Sequence, residues 1–198
     1  GLGDDETPFA GTTSLKRAWT IRHPGDCVAF TVPDPQRGLL GFLRFKDVKQ
    51  GKEIMKELSD DDAAAVFIYL GEWSFQWMDY ITRKTGRLTK SARFIDQAGH
   101  SIWNFNIDVK KRDGKIMGEM EDVYPQLLQA IFIYNAPHWI HTVWATIRRL
   151  LPSRVVEKVD IVEPKKNEKE FNRFLRYATK EQLPVSLGGD NTVNPAEW

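Results

Sequence analysis

The chain has 198 residues, enough for one domain with a sizeable core, and 41% of them are hydrophobic. Its 28 basic and 27 acidic residues argue against a general nucleic-acid binder, because such proteins carry a strong basic bias. The single cysteine excludes an intrachain disulfide and favours a reducing compartment. We expect a cytoplasmic protein, since no apolar run reaches the roughly 20 residues of a membrane-spanning helix and no signal sequence opens the chain.

The first 45 residues predict an extension followed by a strand. Residues 1–15 are rich in Gly, Asp and Thr, and residues 16–37 mix short β-favouring pieces with prolines that mark turns. Gly38–Phe45 is apolar at successive positions, which is typical of a strand covered on both faces. The domain organisation is therefore predicted as an extension over 1–37, a main domain over 38–190 and a tail over 191–198.

A long helix is predicted to begin after Ser59, because three aspartates follow that capping residue and suit the N-terminal end of the helix dipole. Val66, Leu70, Trp73 and Trp77 recur at helical spacing, and Gly86 is a suitable C-terminal cap. We expect this helix to be mostly buried.

The middle of the chain predicts a strand and two helical pieces. Ser91–Asp96 has strand character and is closed by Gly99. A helix through residues 106–112 is predicted to break at Asp113-Gly114, and a second piece then continues to Asp122.

The second half continues the alternation of strands and helices. The pattern predicts a strand over 131–134, a helix over 138–151, a strand over 155–162 and a helix over 167–180. Such alternation indicates an α/β domain with a largely parallel or mixed sheet.

The helix over 138–151 has a continuous apolar stripe and polar residues on its other faces. An ordinary helix packed on a sheet would show the same pattern. The stripe consists of Trp139, Ile140, Val143, Trp144, Ile147, Leu150 and Leu151.

Several short motifs surround this helix in a characteristic order. They are Phe94-Ile95-Asp96-Gln97-Ala98-Gly99, Tyr124-Pro125, Asn135-Ala136-Pro137, Lys158-Val159-Asp160-Ile161, Leu183-Pro184 and Gly188-Gly189. Over roughly residues 38–190 this order resembles the CRAL-TRIO (Sec14-like) lipid-binding domain family. The resemblance implies an α/β fold whose sheet is flanked by helices, with a mobile gate helix over an apolar pocket.

The resemblance also implies a function and a set of site residues. A protein of this family is expected to hold one lipid in the pocket and to exchange or present it at membranes, with which it associates peripherally and transiently. The implied lipid-binding residues are Ser91, Arg93, Gln126, Trp139, Ile140, Val143, Trp144, Ile147 and Lys158.

The head-group positions depart from the family in part. Lys158 matches a phosphate-binding lysine of phosphatidylinositol-binding relatives, but Gln126 stands where they carry Glu. Ser91 keeps one hydroxyl of phosphatidylcholine-binding relatives, whereas Arg93 replaces the other. Phosphatidylinositol or another anionic phospholipid is therefore favoured. The alternative for Lys158 is a surface lysine at a strand edge.

Arg148 and Arg149 lie late on the predicted gate helix. Contact with anionic head groups at a membrane is one interpretation. A solvated basic end that complements the helix dipole is the other.

Other functions have less support in the sequence. His138 and His141 have a metal-ligand spacing but no nearby third ligand, and no catalytic motif is present, so we expect no catalysis, no metal and no cofactor other than the bound lipid. A lipid-sensing or protein-docking module of a larger protein is one alternative. A carrier of a small hydrophobe such as a tocopherol, retinoid or sterol is another, because aromatic residues make up 12% of the chain.

Overall fold

A computed structural model of the protein describes residues 27–45, 57–104, 106–124, 127–163 and 168–192. Five strands form one sheet in the order in which they occur along the chain. They are β1 (Cys27–Asp34), β2 (Gly38–Phe45), β3 (Ser91–Asp96), β4 (Leu128–Tyr134) and β5 (Val159–Val162). β1 pairs with β2 in antiparallel orientation, and the other neighbours are parallel. The predicted mixed, largely parallel α/β architecture is confirmed.

In the described ranges, five α-helices accompany the sheet. They are α1 (Asp60–Thr85), α2 (Ile107–Val123), α3 (His138–Ile147), α4 (Ser153–Val156) and α5 (Glu168–Phe174), with short 3₁₀ turns at Ile102–Asn104 and Val185–Leu187. The links between successive parallel strands contain α1, α2 and α3. Right-handed crossovers between strands that advance steadily across a sheet place the linking helices on one face. These three helices therefore share a face, while α5 packs on the opposite one.

Both ends of α1 are where the sequence predicts them. The Ser59 hydroxyl accepts a hydrogen bond from the Asp62 backbone N–H at 3.1 Å. At the other end Gly86 adopts a left-handed φ of 69°, and its N–H donates to the Thr82 carbonyl. Capping satisfies backbone groups that would otherwise lack partners, so these residues fix the length of the helix.

One face of the sheet, called the closed face below, is densely packed. Phe174 of α5 meets Phe94 and Phe132 edge to face, with ring centroids 5.7 and 4.9 Å apart. Leu183 and Leu187, which follow α5, are fully buried in the same cluster. The strand residues of the closed face are Leu40, Phe42, Ala92, Phe94, Ala130, Phe132, Tyr134 and Val162.

A separate apolar cluster joins α1 to α2. Val66 of α1 packs with Val109 and Ile116 of α2. The rest of α1 is more open than predicted, because Trp73 is 47% and Tyr80 59% exposed. The prediction of a mostly buried helix was wrong, since an apolar pattern does not show how many of a helix's faces find a partner.

Two predicted boundaries in the second half were wrong. α2 runs unbroken through Asp113-Gly114, because Gly114 is a packing contact rather than a break. Residues 155 and 156 belong to α4 and not to a strand, since their N–H groups both donate to the Pro152 carbonyl. β5 begins only at Val159.

The remaining differences concern element lengths and the edge of the sheet. The helix predicted over 138–151 ends at Ile147, and the one predicted over 167–180 ends at Phe174. β4 begins at Leu128, before the predicted residue 131. Residues 27–34, placed in the extension by the sequence, form the edge strand β1. Among the described residues, no helix is long and apolar enough to cross a bilayer.

Candidate functional site

The second face of the sheet, called the open face, is apolar but incompletely covered. Strand register aligns Gly41, Arg93, Ile131 and Val159 in one row, and Leu43, Ile95, Ile133 and Ile161 in the next. All of these except Ile131 keep solvent-accessible surface, in contrast to the buried closed face. α1, α2 and α3 are the helices on this side. The described part of the chain therefore covers the open face only partly.

Arg93 lies near the centre of the open face. Its side chain is accessible to solvent, and desolvation by the surrounding protein lowers its pKa. Arg93 thus presents a cation on the accessible face of the sheet.

α3 lies on this side of the sheet, and its apolar stripe is only partly covered. Ile140 is buried, and four further stripe residues are half-buried, whereas His141, Thr142 and Thr146 are exposed on the other faces. A helix packed fully on a sheet would bury its whole stripe. The half-buried stripe residues are Trp139, Val143, Trp144 and Ile147.

The N-terminal end of α3 is tied to the ends of β3 and β4. Asn135 takes a left-handed φ of 51°, and its side-chain amide donates to the Asp96 carboxylate at 3.0 Å. Asp96 is fully buried and also lies 3.4 Å from Arg44 Nε of β2. The Asp-x-x-Gly and Asn-Ala-Pro motifs thus act together as a structural anchor for the start of α3.

The segment that follows α3 is held against α2. A Cβ built on Gly114 would lie only 2.5 Å from the Leu150 carbonyl oxygen, and one on Gly118 would lie 3.9 Å from Pro152. Two glycines four residues apart share one helix face, which lets the backbones approach closely. Asp113-Gly114 predicted a helix break, although the spacing of the two glycines was the available signal for this contact.

Lys158 directly precedes β5, and its ammonium group is buried. Its carbonyl accepts a hydrogen bond from the Ile131 N–H at 2.8 Å, which fixes the backbone. Among the described residues, its Nζ has no hydrogen-bond partner. A buried, unpaired charge is costly, so an anionic ligand group is a suitable partner for this ammonium.

The other predicted polar residues occupy different environments. The buried Ser91 hydroxyl donates a hydrogen bond to the Leu127 carbonyl at 3.2 Å, so its proton is already used within the protein. Arg148 and Arg149 are exposed at the end of α3. Gln126 lies outside the described residues.

An aromatic contact next to α3 was not foreseen from the sequence. The His100 ring lies perpendicular to the Trp139 ring, with centroids 5.5 Å apart, and its Nδ1 contacts the Gln97 side-chain oxygen. Desolvation, helped by the positive charge of Lys110, lowers the pKa of His100 to about 4. His100 is therefore neutral at pH 7. Nearby Trp103 is 91% exposed.

The two histidines at the start of α3 do not build a metal site with other described residues. The rings of His138 and His141 are 6.3 Å apart. Within the described ranges, no group of three or more potential ligands from His, Cys, Asp and Glu could hold a metal ion.

The chain is similar in sequence to a known domain family and to several plant proteins. A family model described as the CRAL/TRIO domain matches residues 25–189. Patellin-4 of Arabidopsis thaliana is 26% identical over 133 residues, which cover 64% of this chain and 23% of the relative. The phosphatidylinositol/phosphatidylcholine transfer protein SFH12 of Arabidopsis thaliana is 26% identical over 105 residues, covering 53% of this chain and 19% of the relative.

A solved structure shares the fold. The crystal structure of Sfh5 superimposes with a TM-score of 0.57 at 16% identity, covering 85% of this chain and 60% of that one. The chain spans only about a fifth of the length of the two Arabidopsis relatives.

Proposed function

Since the chain belongs to the CRAL/TRIO domain family, we propose that it binds one lipid between the open face and α3 and exchanges or presents it at membranes. The observation that carries this proposal is the open face itself, which is apolar and lies beneath a helix whose apolar stripe is half-buried. A role in lipid transfer agrees with the name of the SFH12 relative. The function is binding and transport rather than catalysis.

The energetics of lipid transport require such an enclosed apolar space. A phospholipid with two chains of about 16 carbons would lose on the order of 20 kcal/mol if its methylenes met water. A carrier must therefore surround the chains with apolar walls. Ile95, Ile133 and Ile161 of the open face, with Trp144 and Ile147 of α3, supply these walls.

The lipid head group is proposed to be anionic, with phosphatidylinositol or another anionic phospholipid favoured. The buried Lys158 ammonium lacks a described partner, and a phosphate would provide charge and hydrogen-bond acceptors together. Gln126 is proposed to contribute uncharged hydrogen bonds to the same head group.

α3 is proposed to move as the gate of this pocket. It has only 10 residues, and its N-cap Pro137 offers no side-chain hydrogen bond. Isolated helices of this length are marginal in water, so α3 depends on its contacts with the rest of the protein. The anchors at Asn135 and Gly114 hold both ends, which confines the movement to the helix between them.

Single charged substitutions on α3 test the gate. Trp144→Asp or Ile147→Asp would place a carboxylate against the lipid and should reduce co-purified lipid at least about tenfold, given the cost of burying an unpaired charge. Thr146→Asp is the matched control, because it puts the same charge on the exposed side of the same helix. Lipid is extracted from equal amounts of folded protein and identified by mass spectrometry. Unchanged lipid content in both stripe variants would refute the gate assignment.

Membrane contact is proposed for Arg148 and Arg149. A basic residue near an anionic bilayer contributes about 1 kcal/mol, so replacing both with Gln should weaken binding to phosphatidylserine vesicles by roughly tenfold or more. Binding to neutral phosphatidylcholine vesicles should not change. Equal loss on both vesicle types would show that the arginines do not act through membrane charge.

Two alternatives remain within the same architecture. A lipid-sensing or protein-docking module of a longer protein is favoured by the small fraction of the relatives that this chain spans. A small hydrophobe such as a tocopherol, retinoid or sterol would also suit aromatic walls. Native mass spectrometry of the purified chain, followed by identification of the released ligand, distinguishes a phospholipid from these cargoes.

A further inference from the structure

Arg93 is an unusual residue for the floor of an apolar pocket. It lies on β3 between β2 and β4, and its neighbours in the same row are Gly41 and Ile131. Ile95, on the same strand and face, is also apolar. Among the described residues, no side chain forms a hydrogen bond or an ion pair with Arg93. The polypeptide described here thus leaves the Arg93 charge uncompensated.

Gly41 provides the space that Arg93 occupies. A Cβ built on Gly41 would lie 3.6 Å from Cγ of Arg93, so a longer side chain there would compete with the arginine stem. Glycine inside a strand weakens the strand and often marks a place where a ligand or another backbone approaches closely. Arg93 thus lies beside Gly41, the residue of the Gly41–Arg93–Ile131–Val159 row that has no side chain.

An arginine in this position stays charged. The guanidinium group does not lose its proton in proteins, and its planar set of donors matches a carboxylate or a phosphate in a two-point contact. A choline head group is unfavourable at this position, because its quaternary ammonium would be repelled by the Arg93 guanidinium. The chemistry at the centre of the open face therefore discriminates by the charge of the ligand.

We propose that Arg93 binds the acidic oxygen atoms of the ligand at the floor of the pocket, so that this chain selects ligands with a net negative carboxylate or phosphate head, phosphatidylinositol included, and rejects phosphatidylcholine, whose own quaternary ammonium neutralises its phosphate. The inference rests on the proposed lipid-binding function and specifies the class of lipid. The row that contains Arg93 reaches Val159, next to Lys158, after two strand spacings, or about 10 Å. The two residues thus lie at separate positions along the sheet, and Arg93 adds a selection for acidic ligands beyond the contact assigned to Lys158.

A competition experiment tests the inference. The delipidated chain is incubated with oleate, phosphatidic acid, phosphatidylinositol and phosphatidylcholine in equal amounts, and bound lipids are counted by native mass spectrometry. The wild-type protein should prefer the three anionic ligands, oleate, phosphatidic acid and phosphatidylinositol, over phosphatidylcholine by about 10- to 100-fold, the range expected for hydrogen bonds to a charged group. Separate titrations with oleate and phosphatidic acid show whether the carboxylate or the phosphate is the better partner.

Matched variants assign the preference to Arg93. Arg93→Gln should lose the preference while still binding lipid, and Arg93→Lys should keep part of it because the charge remains. Arg176→Gln removes an exposed arginine elsewhere and should behave as wild type. Circular dichroism and urea unfolding establish that each variant is folded.

The possible outcomes separate this inference from the proposed function. Lipid binding with equal uptake of phosphatidylcholine, or an acidic preference that survives in Arg93→Gln, overturns the role of Arg93 and leaves lipid binding intact. No uptake of any lipid by the folded wild-type protein overturns both.

Discussion

Replacing Gly114 with alanine should disturb the attachment of α3 to α2. The new Cβ would lie 2.5 Å from the Leu150 carbonyl oxygen and 3.3 Å from its carbon, so the two backbones must separate. Forcing extra atoms into such a contact costs about 1–3 kcal/mol. Alanine in place of glycine inside a helix returns about 0.5–1 kcal/mol. We expect a net loss of roughly 0.5–2 kcal/mol in the free energy of unfolding.

Gly118→Ala is the internal control for this experiment. Its Cβ would meet Pro152 at 3.9 Å, an ordinary contact, so only the gain of about 0.5–1 kcal/mol should remain. The difference between the two variants isolates the close approach at Leu150 and should be about 1–3 kcal/mol. Urea unfolding followed by tryptophan fluorescence measures both values.

The same pair of variants tests the anchor as well as the stability. If the contact fixes the end of the gate, Gly114→Ala should also change the rate at which lipid moves between protein and vesicles, and Gly118→Ala should leave that rate unchanged. Equal changes in stability for both variants would refute the claim that α2 and the 150–152 segment touch at Gly114.

Two further predictions concern the start of α3. Asn135→Ala loses a hydrogen bond to the buried Asp96 and forces alanine into a left-handed φ, so it should lower the free energy of unfolding by roughly 2–4 kcal/mol. Asn135→Gly loses the same hydrogen bond without the backbone strain and should lower it by about 1 kcal/mol less. Similar losses for both variants in urea unfolding would contradict the backbone argument. His100 has a folded pKa of about 4, below its unfolded value of about 6.5, so the stability associated with its neutral form is complete above pH 6.5 and is lost as the pH falls towards 4. His100→Gln should remove this component, which solvent screening limits to roughly 1–2 kcal/mol. Unfolding curves at pH 7, 5.5 and 4.5 for both proteins measure the difference, and parallel losses in the two would exclude His100 as the cause.

Local signals were sufficient for several elements and insufficient for others. The ends of α1 were predictable because Ser59 and Gly86 are caps that act within one turn of the chain. The continuous α2 was not predictable from the same rules, because the role of Gly114 depends on Leu150, a residue 36 positions later. Val155 and Val156 favour a strand locally, but Pro152 begins a short helix that includes them.

The candidate site shows the same division. Motif order in the sequence pointed to α3 and to Lys158, while periodicity identified the apolar stripe. The central position of Arg93 beside Gly41 required the strand register, because neither residue is near the other in sequence. The contact between the His100 ring and Trp139 also depends on how the segment after β3 meets α3, so no local pattern revealed it.

The closed face has a consequence for the synthesis of the protein. Its strands end at residue 162, but Phe174, Leu183 and Leu187, which cover it, are translated last among the described residues. While the chain is emerging from the ribosome, Phe42, Phe94 and Phe132 therefore lack the cover that these later residues provide on that face. The α1–α2 cluster is complete much earlier, because all its members precede residue 121. Chains cut before Phe174 should consequently aggregate through the uncovered sheet rather than remain as smaller folded domains.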